Sequence, residues 1–442
     1  MSGRSRRLFW AGARTVGRSL TSRVRGLRDS DARQRFWQAT GEDWFALLSE
    51  MKGAAMKLGQ LASQYEDLLP KDLAEALSRL QRSAPPRPLS ELESVMQAAW
   101  SPEQRARLVR IDEPAAAAAS IGQVHRAHLE DGRVVALKLR YPEVRAAIDD
   151  DIAALGRLFR MARIAPVDGR ALDGVLSEIR TRFSEETDYR KELANLQRLR
   201  DARRHDYIVM PTPVTELCTE STLVTSWEDG CSLNDAKQWS AEVRDRLGER
   251  FARWVVASVF DSGFVHADPH PGNFGFHADG RLVIYDFGCA VPVRAEARQW
   301  MAQAVAGGME RDWQRVHIAL QHLGAVPIDR ELSDDDAKLY ADICTAVADP
   351  LLADARFAFR DGRIIDEARA VARSHLRSAF RYRPVPELVF VMRTLSGAYW
   401  LLRNLDAQVR MRTLLHAVAR KAPPLEHSLR NGRKRLAEKV HL

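Results

Sequence analysis

Cysteine is scarce in this chain of 442 residues. Cys218, Cys231, Cys289 and Cys344 form no Cys-x-x-Cys pair, which excludes a disulfide scaffold, a zinc ribbon and a redox dithiol and suits a reducing compartment. Long hydrophobic runs are missing as well. The most apolar stretch, Thr394 to Leu402, is stopped by Arg393 and Arg403, well short of the roughly 20 apolar residues of a spanning helix. There is no internal repeat, and no run of alternating β and α segments long enough for a parallel sheet, so a doubly wound fold is excluded. What remains is an ordinary globular composition, 45% hydrophobic and 29% charged, in a chain long enough for more than one core.

Negative charge is missing from the start of the chain. Residues 1–28 hold eight arginines and no acid. They account for the whole formal charge of +8, since 67 Lys+Arg less these eight equals the 59 Asp+Glu. The balanced body gives no reason to expect nucleic acid as a partner. Within the segment Phe9, Ala13, Val16, Leu20, Val24 and Leu27 follow helical spacing, with Arg4, Arg7, Arg14, Arg18 and Arg25 opposite. That pattern fits a helix lying in an anionic membrane interface. An organellar transit peptide has the same look, and a solvated or core-packed arm is the plain alternative.

Along the chain, residues 29–100 read as a helical extension ending near the proline cluster Pro85-Pro86-Arg87-Pro88. Residues 101–230 carry the strand signals. Val124 to Leu129 and Val134 to Leu139 flank a Glu-Asp-Gly turn and predict a β-hairpin. Helices are expected from Pro142 to about Ala202, then a short strand near Thr222 to Trp227. Residues 231–420 are mainly helical, interrupted by a second hairpin over Phe274–His277 and Leu282–Tyr285, and 421–442 form a basic tail. The fold class expected is α+β, two lobes around a cleft.

The chemistry concentrates in His266-Ala267-Asp268-Pro269-His270-Pro271-Gly272-Asn273, thirteen residues ahead of Asp286-Phe287-Gly288. Phosphoryl transfer from ATP needs oxygen ligands for Mg²⁺ and a carboxylate that orients the nucleophile, because it runs mainly on positioning and charge neutralisation. The kinase pattern H-x-D-x-x-x-x-N followed by D-F-G supplies both, with Asp268 as the orienting acid and Asn273 and Asp286 on the metal. Lys138 sits in Val134-Val135-Ala136-Leu137-Lys138, a strand in which an ammonium is costly unless an anion meets it. Its partner is sought in the acidic run Ser184 to Glu192. There Glu185, Asp188 and Glu192 would share one helical face, and Glu186 lies in line with Ile179, Phe183 and Leu193. Two features depart from an ordinary protein kinase. Ala115 to Ala119 and Ser120 stand where a Gly-rich loop would cover the phosphates, and no Ala-Pro-Glu follows the Asp-Phe-Gly.

Over about residues 45–415 the chain resembles the UbiB-type (aarF-domain) atypical kinases. That family's KxGQ motif matches Lys57, Gly59 and Gln60. Its alanine-rich nucleotide loop matches Ala117, Ala118, Ala119 and Ser120 running into Ile121-Gly122-Gln123-Val124-His125, and its ExD motif matches Glu186 and Asp188. The resemblance places the kinase set on Lys138, Glu192, Asp268, Asn273 and Asp286, with Glu192 positioning Lys138. It implies a protein-kinase-like fold and ATP (or ADP) with Mg²⁺ as cofactors. It further implies a KxGQ extension that closes over the cleft and meets the ExD acids, and support of isoprenoid quinone (ubiquinone) biosynthesis. The location implied is cytoplasmic and peripheral on a membrane, or organellar if residues 1–28 are a transit peptide, with a lipid or quinone precursor as partner. Two other readings stay open: a small-molecule phosphotransferase of the aminoglycoside or choline-kinase type, which the catalytic-loop His270 also resembles, and a nucleotide-gated scaffold without turnover.

Overall fold

The computed structural model describes residues 86–118, 121–142, 144, 187–202, 205–375 and 381–425. The basic segment 1–28, the extension to residue 85, Lys57, Gly59, Gln60, Ala119, Ser120, Glu186 and residues 426–442 lie outside them. The strands that matter are β1 (Leu108–Ile111), β2 (Ala117–Ala118), β3 (Gly122–Leu129), β4 (Val134–Arg140), β5 (Ile208–Val209), β6 (Thr222–Ser226), β7 (Phe264–His266), β8 (Phe274–Phe276), β9 (Leu282–Ile284) and β10 (Ala290–Pro292). Among the helices, five bear on the site and its packing: α1 (Tyr189–Asp201), α2 (Ala241–Ala257), α3 (Ala295–Glu310), α4 (Trp313–Leu323) and α5 (Pro386–Leu405). The described residues fall into two compact units. One holds those up to Leu193 together with Thr212–Trp227, the other Ala194–Pro211 and everything from Glu228 onward, so the division falls inside α1.

The first unit is built on an antiparallel sheet in the order β1-β3-β4-β6, with β2 added on β3. Its centre is the expected hairpin. Gly132 takes φ +83° in the Glu-Asp-Gly turn, a conformation a residue without Cβ adopts freely. Along β4 the side chains alternate as a pleated strand requires. Val135, Leu137 and Leu139 are buried to 1% exposure or less, which turns Lys138 to the opposite face. At the far end of the hairpin Gly122 faces Leu139, where a Cβ would overlap the Leu139 carbonyl oxygen.

The second unit packs helices around small sheets. Phe251 and Trp254 of α2, Phe274 and Phe276 of β8, Leu282 and Ile284 of β9, and Leu401, Leu402 and Leu405 of α5 share one apolar core. The second hairpin, β8 with β9, is antiparallel, and β5 joins β9 in parallel. Gly280 takes φ +91° in its turn. β7 and β10 form a separate antiparallel pair. The loop from Ala267 to Asn273 therefore leaves one strand and enters another, while Asp286 follows β9.

One expectation is corrected. α1 begins at Tyr189, so Asp188 stands ahead of the helix and shares no helical face with Glu192. The Asp188 carboxylate instead accepts the Arg190 amide at 3.0 Å, the short-range bond by which an Asx side chain starts a helix rather than continuing one.

Candidate active site

In the first unit, β4 and the first turns of α1 bring Lys138 and Glu192 together across 54 residues of sequence. Lys138 Nζ donates to Glu192 Oε1 at 2.7 Å and Oε2 at 2.8 Å. The side chains are 12% and 5% exposed, so the anion that a strand lysine needs is present and itself buried. The Tyr189 ring, one helical turn before Glu192, lies 5.2 Å from the ammonium. The alanine segment of the expected nucleotide loop is partly strand: Ala117 pairs with Val124 and Ala118 with Gln123. Gln123, fully buried, clamps the Arg87 backbone from both sides, accepting its amide at 2.8 Å and donating to its carbonyl at 2.9 Å.

In the second unit, the catalytic-loop pattern folds into a connected set. His266 donates from Nε2 to the Asp286 carbonyl at 2.7 Å. Asn273 donates from Nδ2 to the Asp268 carbonyl at 3.0 Å and to Asp268 Oδ2 at 3.1 Å. Asp286 Oδ1 accepts the Gly288 amide at 2.9 Å. Phe287 is 1% exposed in the same core as Leu196 and Leu199 of α1, and its carbonyl accepts from Asn195 Nδ2 at 2.9 Å. Just before Asp286, the Tyr285 hydroxyl fills space that Gly230 and Gly275 leave by having no Cβ. Burial, aided by Asp229 and Glu228, pushes that phenol up to about 12, so it is a neutral group at ordinary pH.

The donor set fits a hard divalent cation. Asn273 spends its amide nitrogen on Asp268, which leaves Oδ1 as its remaining acceptor, and Asp286 adds a carboxylate. Among the described residues no three or more His, Cys, Asp and Glu side chains cluster into a cage. Mg²⁺ does not require one, because it takes one or two protein oxygens and completes its shell with water and phosphate oxygens.

Three neighbours escape the sequence reading: His266 as a link between the two motifs, Asn195, and Arg393 of α5, whose Nη2 donates to Asp268 Oδ1 at 3.1 Å. Asn195 follows Glu192 by three residues on one helix, a spacing that puts both on neighbouring surface. Arg393 is marked in the sequence only as the charge that ends an apolar run.

Residues 79–320, more than half the chain, match the ABC1 atypical kinase-like domain. The chain is 28% identical over 376 residues to the mitochondrial atypical kinase COQ8 of Saccharomyces cerevisiae, covering 84% of this chain and 74% of that protein. It is 27% identical to the mitochondrial atypical kinase COQ8B of Rattus norvegicus, covering 85% and 71%. Among solved structures, the Rv3197–erythromycin complex from Mycobacterium tuberculosis superposes with a TM-score of 0.61 at 25% identity, covering 89% of this chain and 99% of that one. A kinase-like α+β fold bearing these motifs in this order makes the chain a member of the ABC1, or UbiB-type, atypical kinase family.

Proposed function

We propose that this protein is an Mg-ATP-dependent atypical kinase or ATPase that supports isoprenoid quinone biosynthesis at a membrane surface. The observation that carries the nucleotide part is the buried Lys138–Glu192 pair, because a lysine fixed by a carboxylate on an otherwise apolar strand is placed to meet phosphate. In this reading Lys138 contacts the α- and β-phosphates and Glu192 holds its ammonium in place. Ala117, Ala118, Ala119 and Ser120 cover the nucleotide. Asn273 and Asp286 hold Mg²⁺, which when bound neutralises charge on the phosphate oxygens. Asp268 orients the nucleophile, alcohol or water, and accepts its proton as the new oxygen–phosphorus bond forms and the bond to the ADP oxygen breaks.

Lys57, Gly59 and Gln60, with Glu186 and Asp188, are assigned the regulation of access to the nucleotide. The membrane part rests on residues 1–28. Among the described residues no helix is long and apolar enough to cross a membrane. An organellar address agrees with the names of the mitochondrial relatives. A second reading, phosphorylation of a soluble alcohol, draws support from the macrolide named in the Rv3197 complex.

The test is ATP hydrolysis by the full chain, with and without anionic liposomes and a phenolic quinone-precursor mimic. Asp286→Asn should abolish turnover, and the wild-type rate should rise with liposomes and mimic together. Hydrolysis unchanged in Asp286→Asn would sink the kinase assignment. A product phosphorylated on a soluble alcohol, indifferent to lipid, would favour the second reading.

A further inference from the structure

Between Asp268 and Asn273 the loop reads Pro269-His270-Pro271-Gly272 and carries no lysine or arginine of its own. The cation beside its carboxylate comes from α5, 125 residues later. Arg393 Nη2 donates to Asp268 Oδ1 at 3.1 Å while Asn273 Nδ2 takes Oδ2 at 3.1 Å. One donor on each oxygen fixes the carboxylate plane, yet each oxygen keeps a second acceptor site for a nucleophile's proton.

An exposed ion pair alone would mean little, because solvent screens it, and Arg393 and Asp268 are 32% and 36% exposed. Two further contacts set this one apart. Thr394, 1% exposed, donates to the Phe390 carbonyl at 2.9 Å and lies 3.4 Å from that of His266. One turn after Arg393, Gly397 faces Pro269 so closely that a Cβ there would overlap the proline Cγ. Positions 393 and 397 of one helix thus meet residues 268 and 269 of the loop, and position 394 meets residue 266 at the end of β7 that leads into it. The helix is shaped to back the catalytic loop, and Arg393 is the part of it that reaches the carboxylate.

We propose that Arg393 is the positioning residue of Asp268, holding its carboxylate in the orientation that receives the nucleophile. The assignment rests on the kinase reading above. A guanidinium suits this task better than an ammonium, because its planar fork of donors sets direction as well as charge. Loss of about an ångström of placement costs on the order of 100-fold in rate.

The experiment is steady-state ATP turnover of the full chain as wild type, Arg393→Met, Arg393→Lys and Asp286→Asn, with nucleotide-induced thermal shifts measured on each. Arg393→Met should lower kcat about 100-fold with KM for ATP and the thermal shift retained, and Arg393→Lys should fall between it and wild type. Should Arg393→Met fail to fold, Arg393→Lys decides: a reduced kcat at unchanged KM supports the assignment, and a wild-type kcat overturns it. Turnover lost in Asp286→Asn but intact in Arg393→Met overturns the role of Arg393 alone, as does a loss in Arg393→Met that appears in KM and not in kcat. Turnover persisting in Asp286→Asn, or absent from the wild type, overturns the kinase reading and this inference together.

Discussion

His266 donates its Nε2 hydrogen to the main-chain carbonyl of Asp286 at 2.7 Å. A carbonyl can only accept, so this contact settles which ring nitrogen carries the hydrogen. The ring is 1% exposed and packed against Trp254 and Phe274, with centroids 6.2 and 5.5 Å away. One bond thereby joins the end of β7, where the catalytic loop departs, to the residue after β9 that carries the candidate metal ligand. Arg393 and Asn195 add two more ties, one to Asp268 and one to Phe287. The loop and the Asp-Phe-Gly segment form a single braced set within the second unit.

If that brace matters, His266→Phe should uncouple it, since phenyl keeps the ring volume and drops the donor. Removing one partner of a buried hydrogen bond costs about 1–3 kcal/mol, and a unit of this size loses about 2–4 °C of melting temperature per kcal/mol. Melting should therefore come several degrees earlier, with a fall in ATP turnover. A variant that melts and turns over like the wild type would show that the link is incidental.

The Lys138–Glu192 pair predicts a pattern of non-additivity. Taking one partner from a buried ion pair leaves the other charge poorly compensated, at a cost of about 3–5 kcal/mol, so Lys138→Met and Glu192→Leu should each destabilise strongly. The double variant replaces both charges by apolar groups and should recover much of that stability, since such replacement is often neutral. ATP turnover should stay low in all three, because phosphate contact needs the ammonium. Thermal melts and hydrolysis assays on the four proteins form a double-mutant cycle, and additive losses in the melts would contradict the pair.

Much of this is legible in the sequence. Asp-Gly turns flanked by apolar alternation marked both hairpins, and the glycines at 132 and 280 take the positive φ that such turns need. The spacing from Asp268 to Asn273 to Asp286 pointed to phosphoryl transfer because three oxygen-bearing side chains at those intervals encode a chemistry, not a shape. Other parts carry too little local signal. β5 has two residues and β7 three, too short for a periodicity of two to stand out from chance. The acidic run Glu185–Glu192 reads as one helical face only if the helix spans it, and α1 begins at Tyr189. Arg393 is invisible for a different reason. Its role depends on which loop α5 packs against, a tertiary fact that neither its neighbours nor its spacing records.

Away from the site, His322 offers a pH test of the packing behind α3 and α4. Its ring stacks on Trp300 with centroids 3.9 Å apart and planes 5° from parallel. Burial lowers its pKa from 6.5, with Glu296 opposing weakly. The folded value therefore lies below the unfolded one. As pH falls through about 6.5 the unfolded chain binds the proton first, so the stability contributed by this stack is present above that pH and is lost below it. His322→Phe keeps an aromatic ring on Trp300 and removes the titration. Melting temperatures followed from pH 8 to pH 5 should fall more steeply for the wild type than for His322→Phe, the two curves converging or crossing at the acid end. His205, whose pKa burial also lowers, is common to both proteins and cancels in the difference. Parallel curves over that range would mean that the folded chain accommodates the charged imidazole, and the stack would then contribute nothing that depends on pH.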